Sequence, residues 1–483
     1  MPRGTRAAGG DVGAGGGAGG GARAGAGSAA PLRRSGVRGW LTMGIYQPVF
    51  LLAFLLYSPV LLWRIVFARQ GQRSSMRERM GFVPPHDRSR PLIWIHGVSV
   101  GEVKAAGGFV RELRRSRPDL DLVISTTTPN GRLVAHQEYP DLPVVTYPLD
   151  LANFPARALD RLRPRCVLLM ELEIWPNFLQ AARRRDIPVA VINGRISERT
   201  HRGYKLARGL LPQLDLITRF CVQDRAYQER LIDLGVDRAR VFVTGNMKYD
   251  SVVIGDHATA AAGLRPWLSP NGERVLVSGS THDDEEAQVL AAITAIRARS
   301  APSVRVVLVP RHPERSPSIC DVVQQHGRRP VRWSEVAELN TMPELGERDV
   351  VVVDTIGQLQ RFYAACDVAF VGGSLVPHGG QNMLEPAALG RAVIFGPHTA
   401  NFRRDVELLL ASEAVVQVPD AAAFADELER LLADEGACRL YGERAREVIA
   451  RNQGATGRTL ELVGDLVGGG AAAPHQTAHP RGN

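Results

Sequence analysis

Lysine is almost missing from this chain of 483 residues: it occurs only at Lys104, Lys205 and Lys248, so arginine supplies nearly all of the 59 basic side chains. A coding bias accounts for that without any function, but it makes each lysine conspicuous. Aromatic residues are only 6%. The arginines are spread along the chain instead of being clustered on one element with aromatics interleaved, which argues against a nucleic-acid partner. The five cysteines (Cys166, Cys221, Cys320, Cys366, Cys438) are scattered and form no C-x-x-C pair. No disulfide framework or zinc site is expected, and the compartment reads as reducing. There is no P-loop, no H-E-x-x-H helix and no EF-hand loop, so a P-loop ATPase or GTPase is disfavoured and metal-free, cofactor-free chemistry is expected.

What is present fits a globular enzyme with extensions. Hydrophobic residues make up 45% and charged residues 23%, and the length exceeds what one core can use. The net charge of +9 suits a protein lying against anionic lipid and handling anionic substrates. Residues 1–42 are rich in Gly, Ala and Arg and read as a disordered tail. Ile45–Phe67 is apolar and about long enough to span a bilayer, giving a membrane anchor over residues 43–67. Pro48, Pro59 and Arg64 interrupt it, so a spanning and a half-inserted anchor both stay open. Arg69, Arg73, Arg77 and Arg79 follow directly, which by the positive-inside rule keeps the body in the cytoplasm.

The body alternates short β-branched runs with helix-length segments, the pattern of parallel sheets covered on both faces. Seven strands are expected between Leu92 and Val243. After a loose stretch near 251–272, six more are expected between Val275 and Val418. The class is therefore α/β, with a doubly wound domain over 68–255, a second over 256–467, and a disordered tail from 468 to 483. In such folds ligands bind at the carboxyl ends of the strands.

The loops leaving those ends are polar. The first strand runs into HGVSVGE, placing His96, Ser99 and Glu102 at a strand-to-helix turn. Glu102 reads equally as a stabiliser of the helix start and as a general base. The fourth strand ends in MELEIWPN, where alternate spacing aims Glu171 and Glu173 to one side. Lys248, in GNMKYD, offers a point charge for a leaving phosphate, although a solvated lysine is the blander reading.

In the second block GSTHDDEE gives Thr281 as an N-cap with structural acids behind it. VPRHPER puts Arg311, His312 and Arg315 near the cleft, and DTIGQL makes a tight turn at Gly357. Most informative is FVGGSLVPHGGQNMLEPAALG, a strand, a glycine-rich loop and a helix opening near Asn382. Amides at such a start cradle phosphate, and Glu385 could accept ribose hydroxyls.

Ten segments in this order (HGVSVGE, TTTPNG, ELEIWPN, NGRIS, GNMKYD, GSTHDDEE, PRHPER, DTIGQL, GGSLVPHGGQNMLEP and GPHTANF) resemble the 3-deoxy-D-manno-octulosonic acid (Kdo) transferases, from about Tyr46 to Gly457. The resemblance implies a GT-B fold, two Rossmann-like domains facing across a cleft. It also implies an inverting transfer of Kdo from CMP-Kdo to a lipid A precursor, at the cytoplasmic face of the inner membrane in lipopolysaccharide synthesis. By that resemblance Glu102 is the catalytic base, and Glu171 and Lys248 stabilise the transition state. The CMP site comprises Pro310 and Arg311, then Ile356, Gly357 and Gln358, then Asn382, Met383, Leu384 and Glu385. The chain departs from the family at Ile356 and Gln358 (Met and Glu are frequent), and at His378, Gln381 and Met383 (Arg, His and Pro are typical). The alternatives are a transferase or epimerase of this fold using a UDP-sugar, and a catalytically silent glycolipid-binding membrane protein.

Overall fold

The computed structural model describes residues 70–468 apart from 152, 208–211, 253, 255–257, 299–302 and 340. The two tails and the anchor segment at 43–67 lie outside the described residues. Among those described, no helix is long and apolar enough to cross a membrane.

Two seven-stranded parallel sheets form the body. The first holds β1 (Leu92–His96), β2 (Asp121–Thr126), β3 (Val144–Thr146), β4 (Cys166–Met170), β5 (Val189–Gly194), β6 (Arg219–Val222) and β7 (Val241–Val243), in the order β3-β2-β1-β4-β5-β6-β7. The second holds β8 (Arg274–Thr281), β9 (Val304–Pro310), β10 (Arg329–Arg332), β11 (Asp349–Val352), β12 (Val368–Val371), β13 (Ala392–Phe395) and β14 (Val416–Gln417), in the order β10-β11-β9-β8-β12-β13-β14. The strand order reverses between β1 and β4 in one sheet and between β8 and β12 in the other. Those are the switch points at which open parallel sheets leave a crevice.

The central strands are buried along their length, as runs such as VRVVLVP in β9 require. Helices cover both faces of the first sheet, giving one core around Trp94, Tyr147 and Phe178 and another around Phe109, Ile124 and Met170. Fully burying each such side chain contributes roughly 1.5–3 kcal/mol. All thirteen expected strands are found, with ends displaced by at most a few residues. β10 is additional: its RPVR sequence lies on the sheet edge, half-exposed, and carries no apolar run to announce it. The stretch expected to be loose contains the helix Ala258–Leu268.

The chain returns to the first sheet at its end. Helix Glu435–Asn452 packs on β13, and Gly454 then turns the chain in a left-handed conformation (φ 88°). The last helix, Ala455–Val467, which the sequence pattern grouped with the second half, buries Ala455, Val463 and Val467 in the core of the first. The Asp250 carboxylate accepts the N–H groups of Gly454 and Thr456, both at 2.6 Å, and Arg219 pairs with Asp465 at 2.7 Å. The two halves are thus joined twice, near residue 252 and near residue 454.

Candidate active site

Glu102 stands at the first switch point. Ser99 caps the helix Val100–Ala105, and Glu102 closes a reciprocal box with it: its oxygens accept the Val98 N–H at 2.9 Å and the Ser99 hydroxyl at 2.8 Å. A side chain at Gly97 would press on the Glu102 Cβ from 3.3 Å, so the turn packs closely against the carboxylate's stem. The structural reading of Glu102 therefore holds, and its carboxylate also has neighbours that a mere cap does not need.

Those neighbours are Glu171 and Glu173, which follow β4. Burial, and then the charge of Glu102, raise the Glu171 carboxyl, while Arg195 opposes them. Glu173 is pushed up to about 7, first by burial, then by Glu102 and, more weakly, by Glu171. Three carboxylates thus share one corner at the carboxyl ends of β1 and β4. Strand alternation is not what places them: β4 ends at Met170, and Glu171 takes a left-handed conformation (φ 56°) that turns the chain out of the strand. That costs a non-glycine residue about 1–2 kcal/mol. Asn193 at the end of β5 (φ 52°) and Ser280 near the end of β8 (φ 54°) do the same, and both strands carry a register shift there. Strained backbone of this kind collects at strand ends that serve a site.

Lys248 follows β7. Its ammonium donates to Asp405 at 2.8 Å and lies 3.9 Å from the centre of the Phe402 ring, both in the second half. Tyr249 donates its hydroxyl to the same Asp405 at 3.0 Å, and Asp405 is buried. The sequence points Lys248 at a phosphate; the structure gives it a carboxylate partner.

In the second half, Thr281 is the last residue of β8 rather than a cap, and its hydroxyl donates to Glu286 at 2.7 Å. Arg315 is taken up by Glu286 and Asp283, at 3.0 and 2.6 Å. The glycine-rich loop after β12 is held from below by Glu285. That fully buried carboxylate accepts the N–H groups of Gly373, Ser374 and Leu375 at 2.7, 3.0 and 3.0 Å, and that of His282 at 2.9 Å. The helix expected near Asn382 is the short Leu384–Ala388, and the Asn382 side chain spans its start, accepting the Leu384 N–H and donating to Glu385 at 2.9 Å.

The expected nucleotide residues divide by exposure. Ile356 is 84% exposed, and Gly357 makes the tight turn with φ 86°. Gln358 precedes the helix Leu359–Ala365 and accepts from Arg361. Arg311 is exposed just beyond the buried Pro310. Met383 and Leu384 are fully buried against Val371, Val393 and Phe395, so toward a ligand they can offer backbone only.

Glu385 is raised by burial, against which Asn382, then Lys104 and Arg311, stabilise its charge. Lys104 lies two residues beyond Glu102 on the same helix. The Glu102 helix and the Asn382–Glu385 loop thus lie near enough for the charge of Lys104 to act on Glu385. Sequence reasoning did not single out Lys104, Asp405 or the loop-holding role of Glu285. The rarity of lysine was the one available signal, and it pointed to Lys104 as much as to Lys248.

Residues 74–251 match the model of the family described as 3-deoxy-D-manno-octulosonic-acid transferase (kdotransferase). The chain is 33% identical over 395 residues to the 3-deoxy-D-manno-octulosonic acid transferase of Haemophilus influenzae, covering 81% of this chain and 91% of that protein. To the Bordetella pertussis enzyme of the same name it is 33% identical over 403 residues, covering 81% and 90%. Among solved structures, UDP-GlcNAc 2-epimerase from Neisseria meningitidis bound to UDP-GlcNAc superposes with a TM-score of 0.51 over 78% of this chain and all of that one, at 13% identity, a likeness of fold.

Proposed function

Because the chain belongs to the Kdo transferase family, and so is a glycosyltransferase, we propose that it moves Kdo from CMP-Kdo onto a lipid A precursor by an inverting displacement. The observation that carries this reading is the corner of three carboxylates on one half, whose helix lies near the nucleotide-side loop of the other. An acceptor hydroxyl oxygen attacks the anomeric carbon of Kdo and passes its proton to Glu102. The bond from that carbon to the phosphate oxygen breaks, and its electron pair leaves with CMP.

The residues then have separate tasks. The Val98 N–H and the Ser99 hydroxyl hold the Glu102 carboxylate in one orientation, which a general base needs in order to meet the attacking hydroxyl. Glu171, beside Glu102 and Glu173, adds negative potential around the developing oxocarbenium-like centre. Arg311, Lys248 and the backbone of Asn382–Glu385 take up charge on the departing phosphate. Pro310 and Ile356–Gln358 complete the CMP site. In this reading the segment 43–67 anchors the enzyme at the cytoplasmic face of the inner membrane, and the arginines after it meet anionic lipid.

The test is to incubate membranes containing the protein with CMP-Kdo and a tetra-acylated disaccharide precursor, and to weigh the lipid. A gain of one or more Kdo masses is expected. No gain with CMP-Kdo, together with a sugar mass gained from a UDP-sugar, would overturn the donor assignment.

A further inference from the structure

The two glycine-rich-loop residues His378 and Gln381 both rest on one residue outside the loop, His282. The rings of His378 and His282 stack with centroids 4.2 Å apart and planes 17° from parallel. Gln381 Nε2 lies 3.0 Å from His282 Nε2. His312 meets His282 edge-on, with centroids 6.1 Å apart. Three elements deliver these rings: His282 follows β8, His312 follows β9, and His378 lies in the loop after β12. The cluster therefore sits at the second switch point, with His312 and His378 exposed and His282 half-buried.

The charges around His282 are unbalanced. Burial, and then His378, His312, Arg315 and Arg311, hold its imidazole below the usual histidine range. Of the carboxylates on these elements, Asp284 and Glu314 are exposed to solvent, Glu385 faces Arg311, and the remaining three are engaged. Glu285 binds four backbone N–H groups, while Asp283 and Glu286 pair with Arg315. Arg311 and three imidazoles thus meet at a ligand-binding edge where His282 has cations and a second and third ring about it and no carboxylate among the charges that act on it. What such a corner lacks is an anion.

The Gln381 contact fits that vacancy in charge. If its amide N–H donates to Nε2, the neutral His282 carries its proton on Nδ1 and still presents a donor. Turning the amide offers its oxygen instead and accommodates the protonated ring.

We propose that His282, His312 and His378 form a site for an oxyanion of the nucleotide-sugar donor, and that this site takes up a proton when the anion binds. The proposal rests on the second half being the donor side. A bound oxyanion stabilises an imidazolium and offsets its repulsion by Arg311, so donor affinity falls as pH rises through the histidine range. The donor read above carries two such groups, a phosphodiester and a sugar carboxylate.

Isothermal titration of the full chain at pH 7.5, in two buffers of different ionisation enthalpy, counts the protons exchanged. CMP supplies the phosphate alone, and CMP-Kdo supplies both anions. Net uptake with CMP assigns the site to the phosphate, and uptake with CMP-Kdo only assigns it to the carboxylate. His282→Gln and His378→Gln are expected to abolish the uptake and weaken binding roughly 10-fold. His378→Arg, a fixed charge that keeps His282 neutral, is expected to bind without uptake. Absence of uptake by the wild type with either ligand, or equal uptake by the two Gln variants, overturns the proposal. Should a UDP-sugar alone bind, with histidine-dependent uptake, the anion site stands and the cytidylate reading falls.

Discussion

The ammonium of Lys248, in the first half, is 2.8 Å from the carboxylate of Asp405, in the second. The pair is part of a wider seam: Arg404 reaches back to Asp224 at 2.5 Å and lies over the Tyr227 ring. Lys248 thus ties the halves together at the position where the sequence suggests a phosphate contact. The two roles are compatible, because an ammonium has three donors and Asp405 takes one.

Removing the carboxylate separates those roles. Asp405→Ala strands a half-buried ammonium and the Tyr249 hydroxyl, and is expected to cost about 1–3 kcal/mol. Asp405→Asn keeps an acceptor for Tyr249 and is expected to cost less. Denaturant midpoints read the difference. A stability change near zero for Asp405→Ala would mean that the seam is not formed in solution.

Glu173 sets a pH dependence. Its carboxyl is raised to about 7 in the folded chain, above its unfolded range, so the folded state binds the proton more tightly. Stability from this group is present at low pH and declines as pH rises from about 4.5 to about 7. Glu173→Gln is expected to remove that decline and to gain about 1–2 kcal/mol at pH 8, after solvent screening of a partly exposed group. Identical pH–stability curves for the two proteins would contradict the carboxylate cluster.

Glu285 tests the other half. Glu285→Ala deprives four backbone N–H groups of their acceptor and is expected to destabilise the fold by at least about 2–4 kcal/mol. Glu285→Gln keeps part of the acceptor and is expected to fold with a loosened glycine-rich loop. CMP affinity should then fall while the first half is unchanged. Unaltered CMP binding by Glu285→Gln would remove the loop from the nucleotide site.

The sheets were legible in the sequence because fully buried parallel strands must be apolar on both faces, as the LIWI of β1 and Val368–Val371 are. The edge strand β10 was not, since Arg329 and Arg332 at its ends are exposed and only Pro330 and Val331 between them are partly buried. Glu102 could be placed from its turn alone, because HGVSVGE reads as a strand running into the first turn of a helix. The corner it forms with Glu171 and Glu173 depends on a left-handed residue after β4, which no periodicity announces. Contacts between halves were least visible: Asp405 is 157 residues from Lys248, and nothing local to either names the other. The final helix was misgrouped for the same reason, since its apolar face reads alike whichever sheet it covers.

The most direct measurement compares Glu102→Gln with the unaltered enzyme in transfer and in CMP binding. Glutamine at the third helical position preserves the capping box, so the turn is retained while the base is lost. Transfer from CMP-Kdo is expected to fall by about two to four orders of magnitude with CMP affinity unchanged. Near-normal transfer by Glu102→Gln would contradict the assignment of Glu102 as the group that takes the acceptor's proton.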